Sequence, residues 1–171
     1  EFFGFTEKEV QELCSKYDRS FEETKAWYNG YELSVVEAQK LKVYAMYNPK
    51  SVVDAMLSGI FDNYWNQTET YEALKAYICM NFDGLKDSVI KILAGDRVQI
   101  NTGTFSNDMT SFQSRDDILT LLVHLGYLSY HWPDKIVAIP NKEVSQEYVN
   151  AISTMDWNEV IHSVEASRKL L

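Results

Sequence analysis

Gly126-Tyr127-Leu128-Ser129-Tyr130-His131-Trp132-Pro133-Asp134-Lys135-Ile136-Val137-Ala138-Ile139-Pro140-Asn141 is the stretch on which the reading of this chain turns. Two short runs rich in aromatic and β-branched residues, 127–130 and 136–139, flank Pro133-Asp134. That dipeptide marks a turn, because Pro presets its own backbone angle and Asp bonds the chain that follows. Gly126 suits the end of a helix and Asn141 the start of the next, so the stretch reads as helix end, hairpin, helix start. Upstream, Ser114 and Asp117 form a capping box ahead of an apolar helix over 118–125. Before that, Val98 and Ile100 alternate as a strand does, after a helix over about 85–94. Downstream, a helix runs to about residue 152.

Helix, strand, helix, hairpin, helix is the element order of a winged-helix domain, expected here over 83–154. The first half reads as more helical. Thr6 and Glu9 make a capping box, with Phe5 and Val10 placed to staple over it, and Val10, Leu13, Cys14 and Tyr17 form one apolar stripe. Ser20 with Glu23 repeats the signal for a short helix that ends at Asn29-Gly30. Between residues 31 and 47 the pattern is mixed: 43–47 is strand-like, and 34–42 fits a helix as well as a strand. Asn48-Pro49 then supplies an N-cap and a first-turn proline for a helix that Gly59 closes. A further helix, starting near Thr68 or Thr70, carries Tyr71, Leu74, Tyr77 and Ile78 on one face. The expectation is a mainly α chain with a small β-hairpin. It comprises a helical lid-like subdomain over 1–82, the winged-helix subdomain, and a linker helix over 155–171 whose stripe of Trp157, Val160, Ile161 and Val164 leads toward a further domain.

The chain has 171 residues, 46% of them apolar or aromatic, enough for a real core. Sixteen Lys and Arg stand against twenty-five Asp and Glu, and a net charge of -9 repels phosphate backbones and anionic lipid. No run of eighteen apolar residues and no basic-then-apolar opening occurs, so neither a membrane-spanning helix nor a signal peptide is expected, and a cytoplasmic location is the default. Without a secretory signal, Asn66-Gln67-Thr68 reads as a chance match to the glycosylation tripeptide. The two cysteines, Cys14 and Cys79, sit in apolar helical stretches and are expected as buried thiols. The opening Glu1-Phe2-Phe3-Gly4-Phe5 runs straight into a helix signal, as in a chain that begins inside a longer one.

A search for chemistry returns little. None of the seven glycines belongs to a P-loop or a G-x-G-x-x-G turn, so there is no cradle for nucleotide phosphates. His124, His131 and His162 lack neighbours at metal-ligand spacing, neither cysteine has a recognisable His partner, and no G-x-S-x-G elbow exists. Glu22-Glu23 and Asp116-Asp117 lie in first helical turns, where acids complement the helix dipole. Pro133-Asp134 could open a PD-(D/E)xK nuclease motif, but Glu143 and Glu147 are followed two residues later by Ser145 and Val149 in place of the lysine. No catalytic residue, metal or bound cofactor is expected in this chain alone. What remains is aromatic: Trp27-Tyr28-Asn29-Gly30-Tyr31, Tyr47-Asn48-Pro49 and Tyr64-Trp65, polar-aromatic turns suited either to a core or to an interdomain surface.

Those turns stand in a recognisable order. Phe3-Gly4-Phe5-Thr6-Glu7-Lys8-Glu9-Val10, Trp27-Tyr28-Asn29-Gly30-Tyr31, Tyr47-Asn48-Pro49-Lys50-Ser51-Val52, Tyr64-Trp65 with Thr68, Gly126-Tyr127-Leu128, and Pro140-Asn141-Lys142-Glu143-Val144 together resemble the AAA-ATPase-like family of bacteria. The resemblance covers nearly the whole chain. It implies an upstream P-loop core that binds ATP, this chain as the lid and winged helix after it, and a PD-(D/E)xK nuclease-like domain downstream. Core and nuclease-like domain would be its intramolecular partners, and the chain itself would be non-catalytic. By the same resemblance, Tyr47, Asn48 and Pro49 would face the nucleotide when the core is present. The chain departs from the family over 32–44, where the link before Tyr47-Asn48-Pro49 is longer and more helix-like. A nucleic-acid-binding winged helix is the alternative, with the helix over 114–125 in a groove. Its Arg115 is offset by Asp116 and Asp117, and the hairpin adds only His131 and Lys135.

Overall fold

The computed structural model describes residues 4–37, 39–65, 70–80, 82–105 and 111–153. In chain order the elements are β1 (Phe5–Thr6), α1 (Glu7–Tyr17), α2 (Phe21–Tyr28), β2 (Tyr31–Glu37), β3 (Lys40–Tyr47), α3 (Pro49–Ser58) and α4 (Thr70–Ile78). Then come α5 (Leu85–Leu93), β4 (Val98–Gln99), a 3-10 turn (Thr102–Thr104), α6 (Arg115–His124), β5 (Ser129–His131), β6 (Ile136–Ala138) and α7 (Lys142–Ser153). The strands form two three-stranded antiparallel sheets, ordered β1-β3-β2 and β4-β6-β5.

This corrects the expectation of a mainly α chain with one small hairpin: the protein is mixed α/β, and the first half, expected as a helical lid, holds the longer sheet. The ambiguous stretch after Tyr31 is strand because its partner strand is present. Tyr31 pairs with Met46, Leu33 with Tyr44, Ser34 with Val43 and Val36 with Leu41, and Gln39 takes a left-handed φ of 64° in the turn. Such cross-strand pairs stabilise a sheet and leave no trace in the periodicity of either strand alone. The strand β1 is two residues long, too short to carry a pattern, and is fixed by the pairing of Phe5 with Tyr47.

Local signals place the helix starts. Thr6 and Glu9 exchange both bonds of a capping box, with the Glu9 carboxylate accepting from the Thr6 N–H at 2.8 Å, and Ser114 and Asp117 do the same at α6. Asn48 caps α3 and Gly59 ends it at φ 73°, while the Asn141 side chain accepts from the Val144 N–H at 3.0 Å at the start of α7. Each such cap is worth about 1 kcal/mol.

Two buried clusters result. The first joins Val10, Cys14, Tyr28, Tyr47, Val52 and Met56. The second joins Leu74 and Ile78 of α4 to residues of α5, α6 and α7 such as Val89, Ile118, Leu122, Val144 and Tyr148. The helix α4, grouped by sequence with the first 82 residues, therefore packs in the second cluster, and the two cores divide at Tyr64 and Trp65. Full burial of a Leu or Ile contributes about 2 kcal/mol, so Leu74 and Ile78 anchor α4 in that cluster. Among the described residues no helix is long and apolar enough to cross a membrane. The expected linker helix over 155–171, with His162, lies outside the described residues, as do Thr68 and the Asn66-Gln67-Thr68 tripeptide.

Candidate functional site

The polar-aromatic turns meet along one seam between the two cores. At the end of α2 the Asn29 carbonyl accepts from the Asn141 side-chain amide at 2.8 Å. Gly30 has φ 110°, and a Cβ there would lie 1.9 Å from the Pro140 carbonyl oxygen, so both its conformation and its contact exclude a side chain. The Tyr31 hydroxyl crosses the seam to donate to the Gly126 carbonyl at 2.8 Å. Next along β2, the Glu32 carboxylate meets His131 Nδ1 at 2.7 Å, and His131 Nε2 lies 3.4 Å from the Asp134 carboxylate. Trp65 stands edge-on to Tyr127 at 5.1 Å, and Tyr127 edge-on to Tyr148 at 6.4 Å.

Tyr47, Asn48 and Pro49 open onto this seam. With Tyr31, Trp65 and Gly126 they line a pocket of about 200 Å³. Asn48 is committed to capping: its side-chain oxygen accepts from the Lys50 N–H at 3.1 Å and its carbonyl from the Val52 N–H at 3.1 Å. Tyr47 is buried in the first core, and burial pushes its ionisation up. Whole ligands occupy pockets of roughly 300 Å³ or more, so this one could receive the ring of a nucleotide base against Pro49 and aromatic walls but could not enclose a nucleotide. The nearest lysine, Lys50, is held by Asp54 at 3.0 Å and by the Tyr64 carbonyl at 3.2 Å.

Sequence reading passed over the residues with the most unusual environment, Glu143 and Glu147. One turn apart on α7, both are fully buried against residues 61–65. Glu143 Oε1 accepts from the Tyr64 N–H at 2.9 Å, Glu147 Oε1 accepts from the Asn63 side-chain amide, and the second oxygen of each carboxylate has no partner among the described residues. Burial pushes the Glu143 carboxyl from its usual 4.5 up to about 7, against the Tyr64 N–H, Ser51 and Lys50, which favour the charged form. Burial also raises Glu147. The signal for this pair lay in the helix period. Glu143 and Glu147 fall in the same stripe as Val144, Tyr148, Ala151 and Ile152, where apolar residues belong.

The remaining candidates have structural places. Asp117 binds the Gln113 and Ser114 N–H groups at 2.9 and 3.0 Å and the Thr104 hydroxyl at 3.0 Å. His124 stacks on Phe105 with ring centroids 5.2 Å apart. Cys14 is buried, its sulfur 3.3 Å from the Thr24 hydroxyl, whereas Cys79 is exposed just past the end of α4, which corrects the expectation that both thiols are enclosed. Among the described residues no three His, Cys, Asp or Glu side chains gather as metal ligands do. Comparison with family models, with curated proteins and with solved structures gives no match, so the reading of this chain rests on its own residues.

Proposed function

We propose that this chain is a non-catalytic coupling region of an AAA-ATPase-like protein, lying after a P-loop core that binds ATP and before a nuclease-like domain. The observation that carries this reading is the seam. Segments far apart in sequence, around Asn29, Asn48, Trp65, Gly126 and Asn141, converge where the two cores meet, and the Asn48-Pro49 helix start opens there onto a base-sized pocket. A nucleotide held by the core would present its base to Pro49 while its phosphates stayed with the core. Because the 61–65 segment that follows α3 is bonded to α7 through Asn63 and Tyr64, movement of that helix start would be passed to the second half. ATP is the cofactor of the whole protein in this reading, and the P-loop core and the nuclease-like domain are its intramolecular partners.

The nucleic-acid alternative needs α6 as a helix that enters a groove. Residues 117–122 of α6 are all buried and its first turn is acidic, so it offers no such face. The coupling reading is tested in the protein extended upstream to include the core. Pro49→Ala leaves the Asn48 cap in place and removes the ring from the pocket. It should weaken ATP binding by about tenfold, or about 1.4 kcal/mol, with little change in thermal midpoint. Unchanged ATP affinity would remove Pro49 from the nucleotide site.

A further inference from the structure

Glu143 and Glu147 project from α7 into a joint that the first half closes. From the segment at 61–65 come the Tyr64 N–H and the Asn63 side chain, itself buried, whose oxygen also accepts from the Trp65 N–H at 2.8 Å. From α3 comes Ser51, fully buried near Glu143, with a hydroxyl that makes no hydrogen bond among the described residues. Two carboxylates thus share one buried compartment in which each keeps an oxygen without a hydrogen-bond partner among the described residues, while an ionised carboxylate can accept about four hydrogen bonds. Leaving a charged oxygen buried and unbonded is costly, and two such charges one turn apart repel each other.

We propose that Glu143 and Glu147 form a proton-operated joint between α7 and the first half of the chain, closed when the pair holds at least one proton and loosened when both carboxylates carry charge. The step is a plain proton exchange with solvent at the unpartnered carboxylate oxygens, and no other bond changes. The charged and titratable groups around Glu143 agree with this sense. Lys50 on α3 favours its charged form but is already engaged by Asp54 and the Tyr64 carbonyl. Opposing it are burial itself and Glu147 on the same helix, while Tyr28 at the end of α2 and Tyr31 on β2, whose ionisation burial pushes up, stay neutral beside it. Glu147 faces Asn63, which is neutral. The shift of Glu143 to about 7 places the change in the neutral range, where small differences in proton activity act on it. The joint depends on this chain alone and stands apart from the coupling reading above.

Amide hydrogen exchange tests it in the intact chain. Protection of the Tyr64 and Trp65 amides, corrected for intrinsic exchange, should fall by about tenfold per pH unit wherever opening releases one proton, between about pH 4.5 and about pH 7 for Glu143. In Glu143→Gln the fall should flatten, and in Glu143→Gln with Glu147→Gln it should vanish, with protection kept at the alkaline end. A wild-type profile retained in both variants would overturn the proposal. Should the Gln variants fail to fold, carboxyl NMR titration of the wild-type chain decides it. One glutamate titrating far above the others supports the joint, and all glutamates titrating in the ordinary range sinks it.

Discussion

Asp117 and Glu143 are both acids in the first turn of a helix, both buried, and they are driven in opposite directions. The helix dipole favours the charged form of each. What separates them is the supply of donors. Asp117 receives two backbone N–H groups and a hydroxyl, which outweigh its burial and hold it below the usual 3.8. Glu143 receives one backbone N–H and keeps one bare oxygen, so burial wins and lifts it to about 7. Position in a helix therefore says little about an acid until its hydrogen bonds are counted. A satisfied carboxylate closes a loop onto its helix; a half-satisfied one leaves the seam sensitive to protons.

The largest effect expected from this contrast is in the pH dependence of stability. For Glu143 the folded pKa lies above the unfolded one, so its contribution is full below about 4.5 and lost as pH rises through about 7. The loss is about 3 kcal/mol at most, read from urea unfolding across that window, and Glu143→Gln should abolish it. A stability that held level between those values in the wild-type chain would contradict the burial argument. Asp117 works the other way. Its depressed pKa means that its contribution is present above 3.8 and lost as pH falls through a still lower value. Asp117→Ala removes the capping box and strands the Gln113 and Ser114 N–H groups, for an expected cost of about 2 kcal/mol at neutral pH. That cost should shrink in acid, and a cost independent of pH would mean that the charge is not what those donors serve.

How far the chain could be read in advance follows the same division between local and distant. Caps at Thr6, Asn48, Ser114 and Asn141 were legible because a cap and its partner lie three residues apart or fewer. The β2–β3 pairing was not, since Leu33 finds Tyr44 only through the turn between them, and so the first half looked helical. The seam was legible in its parts: Asn29-Gly30, Tyr47-Asn48-Pro49 and Pro140-Asn141 stood out. Their meeting was not, since it joins residues more than a hundred positions apart through the Asn29 to Asn141 bond. Glu143 and Glu147 sat in the apolar stripe of α7 in plain view. An ionisable residue at a core position is the warning that the helix period carries, and nuclease spacing, which asks only for a lysine two residues on, does not register it.

A matched pair of hydroxyl deletions sharpens the comparison with the smallest changes. Thr104→Ala takes one donor from Asp117, a bond of 3.0 Å to a buried carboxylate. It should cost about 1 kcal/mol at neutral pH, and the difference from wild type should disappear in acid once Asp117 is protonated. Ser51→Ala takes a group that favours the charged form away from Glu143. That raises the folded pKa further, so the variant should match wild type near pH 5 and fall below it by about 0.5 kcal/mol near pH 8. One deletion is therefore invisible in acid because its carboxylate is gone, the other because its carboxylate has not yet formed. Two parallel unfolding series would show the curves diverging from wild type over different windows, just above the Asp117 transition and through the Glu143 transition. If Ser51→Ala diverged in acid instead, the Ser51 hydroxyl would be accepting from a protonated Glu143, and the donor count that sets the two acids apart would have to be redrawn at that oxygen.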